Sequence, residues 1–482
     1  MKRTMERRWK VLTVVSIAVF VASLDLFIVN VAFPDIQSDF AGSTVSGLSW
    51  VLNAYAIVYA ALLVPAGRLA DRYGRRRGFL LGMVVFLVGS ALCGIAPSVE
   101  TLVAARVLQA VGAAILTPTS LALLLPEFPP AQRATAIGIW AAVGGVAAAA
   151  GPPIGGLLVE VSWRLVFLVN IPIGLAALFY AVRILRETKD ETAERPDLVG
   201  AAVLAFAIGV LSLGLVEAPD WGWTDPRTIA CFAASAVALA VFWARCARHP
   251  APMIHLEMLR VRSFAMANLT ILIFMVGFSA MLLGGVLFLT EVWGDSILEA
   301  GLSLSPGPLM AATFSVISSR QVARFGQRTL AAAGALIFTL GSVLFLTRLT
   351  VEPDYVGDML PALLLTGIGV GFMLPSTASA AAASLPPAQF ATGSAVLTMS
   401  RQIGSVLGVS ILVALLDSGA RGAADPAQAF DGAWTLMIVA GLLSGAAALA
   451  IGTVRMHVPE GEAAAAAPPA PAPHEQMAGA RT

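Results

Sequence analysis

Fourteen apolar runs, each long enough to cross a bilayer, recur along this chain. They cover roughly residues 11–33, 47–66, 78–96, 101–125, 134–159, 164–185, 197–216, 228–246, 264–290, 300–319, 329–349, 359–382, 394–416 and 432–454. A helix crossing about 30 Å of hydrocarbon takes roughly 20 apolar residues, so each run suffices. In lipid every backbone N–H and C=O must be paired inside the structure, which leaves helices or closed barrels. Barrel strands would be about half as long and would alternate in polarity. The expected fold class is therefore all-α and integral to the membrane. Composition agrees, with 58% apolar and only 12% charged residues, about half the charge of a soluble domain. The first run follows the basic segment Met1–Lys10 but is too long, and lacks the small-residue cleavage site, for a secretory leader. It reads as a retained span. Cys93, Cys231 and Cys246 show neither pairing nor metal-ligand spacing and read as packing residues.

Cations give an independent test of sidedness. With the N-terminus placed in the cytoplasm, the inside segments hold Lys2, Arg3, Arg7, Arg8 and Lys10, then Arg68, Arg72, Arg75, Arg76 and Arg77, then Arg133. They continue with Arg183, Arg186, Lys189 and Arg195, with Arg245, Arg248, Arg260 and Arg262, and with Arg320, Arg324, Arg328, Arg455 and Arg481. The outside segments hold only Arg164, Arg227, Arg348 and Arg421, a split of 24 to 4. This follows the positive-inside rule and predicts both termini on the cytoplasmic side of the cell membrane. The net charge near +1 offers no surface for nucleic acid.

A repeat divides the chain. Gly67-Arg-Leu-Ala-Asp-Arg-Tyr-Gly-Arg-Arg76 follows the second run, and a fainter copy, Ser319-Arg-Gln-Val-Ala-Arg-Phe-Gly-Gln-Arg328, follows the tenth. Parallel halves of this kind mark transporters. The predicted organisation is a cytoplasmic N-terminus (1–10), a six-helix bundle (11–190), two extra helices with flanking loops (191–262), a second six-helix bundle (263–456) and a disordered Ala/Pro-rich tail (457–482).

Three charges lie inside the runs, clear of the last few residues at either end, where each costs about 2.5–3.5 kcal/mol on insertion scales. Asp25, in Leu24-Asp-Leu-Phe-Ile-Val-Asn30, has no basic neighbour in sequence. Burial then favours its neutral acid, which suits a group that gains and loses protons near neutral pH. A static helix contact is the alternative. Arg106, in the fourth run, lies near the outer end and could partly snorkel. Arg401 and its neighbour Gln402, in the thirteenth run, either line a cavity or reach helix-end carbonyls. Gly144, Ala148, Gly151 and Gly155 recur at helical spacing in the fifth run, a stripe that admits a close neighbour, and Pro152 and Pro153 remove helix hydrogen bonds beside it.

In combination these residues resemble a fourteen-span drug:proton antiporter of the major facilitator superfamily, over all but the tail. The resemblance implies a 6+2+6 arrangement of two pseudo-symmetric bundles around a central cavity. It implies that Gly67, Arg68, Asp71, Arg72, Gly74, Arg75 and Arg76 form the superfamily's gating segment, with Asp71 in a charge relay to the other half. Asp25 through Asn30 resemble the first-helix motif, and Arg106, Gln109 and Gly112 the fourth-helix motif, both implicated in proton coupling. Gly138, Gly151, Pro152, Gly155 and Gly156 resemble the antiporter motif of the fifth helix, with Ala147 where a Gly is usual. Asn30, Gln109, Arg401 and Gln402 are expected to face the cavity. The second copy of the gating segment lacks its Asp, since Ala323 stands there.

The function so implied is export of amphipathic small molecules, working as a monomer, with the proton gradient as the energy source and no cofactor or metal. Its rivals are export of an endogenous metabolite or lipid, a membrane-embedded enzyme, and a non-transporting sensor. No Gly-x-Ser-x-Gly elbow, phosphate loop or His-Glu-x-x-His pair supports an enzyme, and His249, His255, His457 and His474 fall in loops or tail.

Overall fold

A computed structural model describes residues 2–40, 42–190, 196–386, 389–420 and 425–452. The tail expected at 457–482, and Arg195, Arg421, Arg455 and Arg481 of the charge count, lie outside the described residues. Among the described residues, fourteen helices are long and apolar enough to span a membrane. They are α1 (Arg7–Asp39), α2 (Val45–Tyr73), α3 (Arg75–Gly94), α4 (Val99–Glu127), α5 (Thr135–Val159), α6 (Leu165–Ile184), α7 (Leu198–Trp221), α8 (Pro226–Arg248), α9 (Arg262–Val292), α10 (Ile297–Val322), α11 (Gln327–Arg348), α12 (Tyr355–Ala383), α13 (Thr392–Gly419) and α14 (Ala427–Leu449).

Most of these helices outrun their apolar cores, because backbone pairing continues into the polar flanks until a cap or a glycine stops it. The starts carry recognisable chemistry. Thr44 accepts from Gly47 N to begin α2, and Ser98 with Thr101 forms a capping box for α4. Ser296 with Glu299 does the same for α10. The last helix ends earlier than its apolar run, at Leu449.

The two halves repeat one packing scheme. In the first, α1 lies on α5, while α2 and α3 both lie on α4; in the second, α9 lies on α13, while α10 and α11 both lie on α12. The halves then meet through exchanged counterparts, α2 against α13 and α5 against α10. Of the extra pair, α7 packs along both α2 and α13. There Asn53 Nδ2 donates to Ser410 Oγ (3.1 Å) and Ser212 Oγ (3.3 Å), and the two hydroxyls are 2.7 Å apart. One buried polar knot thus ties together α2, α7 and α13.

The contact between halves is uneven along the membrane normal. At the end carrying the N-terminus, Val11, Leu12, Phe79, Met83, Leu123 and Phe128 of the first half form a core of their own. Toward the opposite end, Phe33, Ala147, Trp163 and Phe167 merge with the core of the second half. There Gly156 lies so close to α10 that a Cβ on it would stand 3.0 Å from Leu298 Cα.

Asp197 anchors the extra pair. It accepts from Gly200 N at 2.8 Å to cap α7, and both its oxygens lie 2.8 Å from Arg245 Nε on α8. The carboxylate is buried. We expect Asp197→Ala to lower stability by about 1–3 kcal/mol, the sum of a lost cap and an uncompensated cation. Thermal unfolding in detergent reads this; an unchanged midpoint would show that α7 and α8 are held by apolar packing alone.

Candidate functional site

Asp25, the lone acid of the first apolar run, meets its partners inside the first half. Its Oδ2 accepts from Arg106 Nη1 of α4 at 2.5 Å. Its Oδ1 accepts from Gln109 Nε2 at 2.7 Å and from Asn170 Nδ2 of α6 at 3.2 Å. Arg106 also donates through Nη1 to Gln109 Oε1 (2.7 Å) and through Nε to the Val51 carbonyl of α2 (3.1 Å). Its guanidinium carbon lies 4.1 Å from the centre of the Tyr55 ring, a cation–π contact. Ser90 of α3 completes the set, accepting from Gln109 (3.1 Å) and Asn170 (3.0 Å) while donating to the Phe167 carbonyl (2.8 Å). Asp25, Arg106, Gln109, Ser90 and Asn170 are all fully buried.

This geometry corrects one expectation and sharpens another. Arg106 does not snorkel to the outer surface; it turns inward because a carboxylate, a carbonyl and an aromatic face together solvate it better than the distant rim. Asp25 is without a cation only in sequence, since Arg106 reaches it across 81 positions. Gln109, expected at the cavity, is committed to Asp25, Arg106 and Ser90 instead. Sequence reading missed Ser90, Asn170 and Tyr55. Their one signal was polarity inside apolar runs, shared by many hydroxyls that only bond the preceding helical turn.

Close helix approach makes the network possible. A Cβ on Gly89 would stand 2.6 Å from the Gln109 backbone N. Only glycine there lets α3 bring Ser90 onto Gln109. Gly89→Ala should push the helices apart and cost about 1–3 kcal/mol, as overpacking does. Thermal unfolding of the variant checks this, and wild-type stability would contradict it.

The gating segment folds differently from the loop its sequence suggests. Gly67 is helical, and α2 continues to Tyr73, so a single residue makes the turn into α3: Gly74, at φ +124°. A side chain there would meet the carboxyl of Glu187, which accepts from Arg76 N (3.0 Å) and Arg77 N (3.1 Å) and so caps α3. Asp71 pairs with Arg75 Nε at 2.7 Å within its own segment. Arg72 lies beside it on the last turn of α2. Arg76 Nη2 donates to the Val182 carbonyl at 2.9 Å, and Arg68 Nη2 lies 3.0 Å from His255 Nε2 in the link before α9. The structure therefore places Asp71 on a partner in its own half.

The glycine stripe of α5 faces α1 and α10. A Cβ on Gly151 would stand 2.9 Å from Phe27 Cβ, and one on Gly155 would stand 3.0 Å from Ile28 Cγ1. Pro152 lies within the continuous α5 helix, and its carbonyl oxygen faces Gly301 of α10. Gly138, farther down α5, has nothing within 4 Å of a Cβ position.

Between the halves lies a cavity of about 40 Å3, lined by α1, α2, α4, α9 and α13. Asn30, Arg401 and Gln402 are among its lining residues, together with Asn53, Ser279 and Ser405. Arg106 lines it too, while Asp25 lies outside the lining. Drug-sized ligands occupy pockets of about 300–1,000 Å3, so the halves must part further to admit one.

Twelve of the fourteen spans thus form two repeated bundles around a cavity, with two further spans beside them. Residues 15–245 and 269–478 match the Major Facilitator Superfamily, and the chain belongs to it. Multidrug resistance protein Stp of Mycobacterium tuberculosis is 36% identical over 413 residues, covering 85% of this chain and 76% of Stp. The tetracenomycin C resistance and export protein of Streptomyces glaucescens is 35% identical, covering 86% and 76% respectively. The methylenomycin A resistance protein of Streptomyces coelicolor is 32% identical, covering 84% and 85%. Solved structures share the fold. A D-xylose–proton symporter matches with a TM-score of 0.66 at 15% identity, over 93% of this chain and 98% of the symporter. A bacterial homolog of the human lysosomal transporter Spinster matches at 0.62 and 19%, over the same shares. The protein is thus a multi-pass membrane transporter, not an enzyme, and is related to drug and antibiotic resistance exporters.

Proposed function

We propose that this transporter exports amphipathic small molecules across the cytoplasmic membrane in exchange for protons, by alternating access, with Asp25 as the proton-binding group. One observation carries the reading: Arg106 is ion-paired to the sealed carboxylate of Asp25 and also lines the cavity between the halves. A proton arriving on Asp25 neutralises that carboxylate and frees the guanidinium, whose other contacts run to α2, α4 and the Phe167 ring of α6. Because Asp25 itself lies outside the lining, solute and proton do not compete for one contact. They are coupled by favouring different access states.

With both termini in the cytoplasm, as the arginine distribution favours, the contact between α5 and α10 closes the outer side. The cavity then receives solute from the cytoplasm or inner leaflet. Protonation of Asp25 from outside promotes release and the inward return, and the Asp71 segment steadies one of the two states. Export direction and drug-like solutes are supported by the names of the relatives and by the glycine stripe of α5. The test is tolerance to a panel of amphipathic antibiotics in a host lacking its own pumps. We expect raised tolerance that a protonophore removes. Tolerance that survives the protonophore would reject proton coupling, and no tolerance to any compound would reject drug export.

A further inference from the structure

The polar lining of the central cavity is unbalanced in a way that bears on what it binds. Among the described residues it contains no Asp or Glu. It does contain Arg401, a partly buried guanidinium that makes no hydrogen bond or ion pair among the described residues. The other arginine of the lining, Arg106, is neutralised by Asp25. Arg401 therefore sets the sign of the cavity.

The hydrogen-bonding groups lean the same way. Gln402 Nε2 and Arg106 Nη2 are buried donors with no partner. The donor amides of Asn30 and Asn53 are already engaged, Asn30 with the Leu26 carbonyl at 3.0 Å and Asn53 with Ser212 and Ser410. Ser279 and Ser405 satisfy each other at 2.6 Å. Of the protein acceptors, Asn53 Oδ1 alone is buried without a partner on this lining. The groups left over are thus a full guanidinium and two further N–H donors against the uncharged amide oxygens of Asn30, Asn53 and Gln402, so the unbalanced charge is positive. An unpaired guanidinium beside apolar walls is costly, and a planar oxyanion offsets it with two parallel N–H···O bonds. The remaining walls, Phe27, Met275 and Phe278 among them, suit an apolar body.

We propose that the cavity recognises amphipathic organic anions, a carboxylate on an apolar or aromatic body, and that Arg401 with Gln402 is the carboxylate subsite. This rests on reading the cavity as the transport site. A permanent cation would face Arg401 without any acid to offset it and binds more weakly.

The test is equilibrium binding to the purified full-length protein in neutral detergent, read by tryptophan-to-pyrene energy transfer. The probes share one body: 1-pyrenebutyrate, its neutral amide, and a trimethylammonium counterpart of equal length. We expect the acid to bind at least about tenfold more tightly than either of the others. Arg401→Gln should abolish that preference while keeping the affinity for the amide, and Arg401→Lys should retain part of it. Equal affinities, a preference for the cation, no binding of the acid, or an unchanged preference in Arg401→Gln would overturn the proposal. Loss of amide binding to the same extent as acid binding would make Arg401 a structural residue and overturn it too. Proton-driven export by a wild-type protein with no acid preference would sink this inference and leave the transport reading standing. Absence of proton-driven export would sink both.

Discussion

Asp25→Asn should abolish concentration against a gradient while leaving downhill exchange of solute intact. The substitution keeps the shape and one carbonyl acceptor for Gln109 and Asn170, so the helices α1, α3, α4 and α6 retain their network. It removes the group we propose as the proton carrier, together with the charge that holds Arg106. In liposomes, an imposed pH gradient should drive counter-movement of an exported compound through the wild type and none above protein-free vesicles through the variant. With equal pH on both sides, the two proteins should exchange labelled for unlabelled compound at comparable rates. Uphill movement persisting in Asp25→Asn would remove Asp25 as the coupling site.

The second large effect concerns stability. Arg106→Gln leaves a fully buried carboxylate without its cation, and breaking such a pair typically costs about 3–5 kcal/mol. The magnitude follows from asymmetry: the ion pair itself contributes modestly once desolvation is counted, but a buried carboxylate left with only the amide donors of Gln109 and Asn170 has no counter-charge to offset it. Removing both charges in Asp25→Asn/Arg106→Gln should therefore recover most of the loss. A double-mutant cycle on thermal or denaturant unfolding measures this coupling. A double variant as unstable as Arg106→Gln alone would mean that Arg106 matters through its contacts with Tyr55 and Val51 rather than through its charge.

The limits of sequence reading fall at particular residues. All fourteen crossings were legible because lipid demands uninterrupted apolar helices, and Asp25, Arg106 and Arg401 stood out because charge inside such helices is expensive. That Asp25 and Arg106 face each other was not legible, since nothing in either local stretch encodes a contact 81 positions away. Ser90 and Asn170 were hidden for a related reason. Isolated hydroxyls and amides are common in membrane helices, where most bond their own backbone, as Thr366 and Ser342 do here. Gly67 and Gly74 both belong to the gating segment, yet only Gly74 of the two adopts a left-handed φ. The difference lies in Pro118 of α4, 3.1 Å from where a Gly67 Cβ would be, which asks for smallness rather than a turn. The two extra spans were countable but had no assignable place. The position of α7 along the α2–α13 seam depends on Asn53, Ser212 and Ser410, three unremarkable polar residues far apart in the chain.

The central claim is that Asp25 holds a proton in one access state and not in the other. Infrared difference spectroscopy on purified protein, before and after saturation with a compound it exports, reads carboxyl protonation directly. The account predicts loss of a protonated-carboxyl band in the wild type and no such change in Asp25→Asn. A carboxyl region that solute leaves unchanged, or the same band lost from Asp25→Asn, would contradict it.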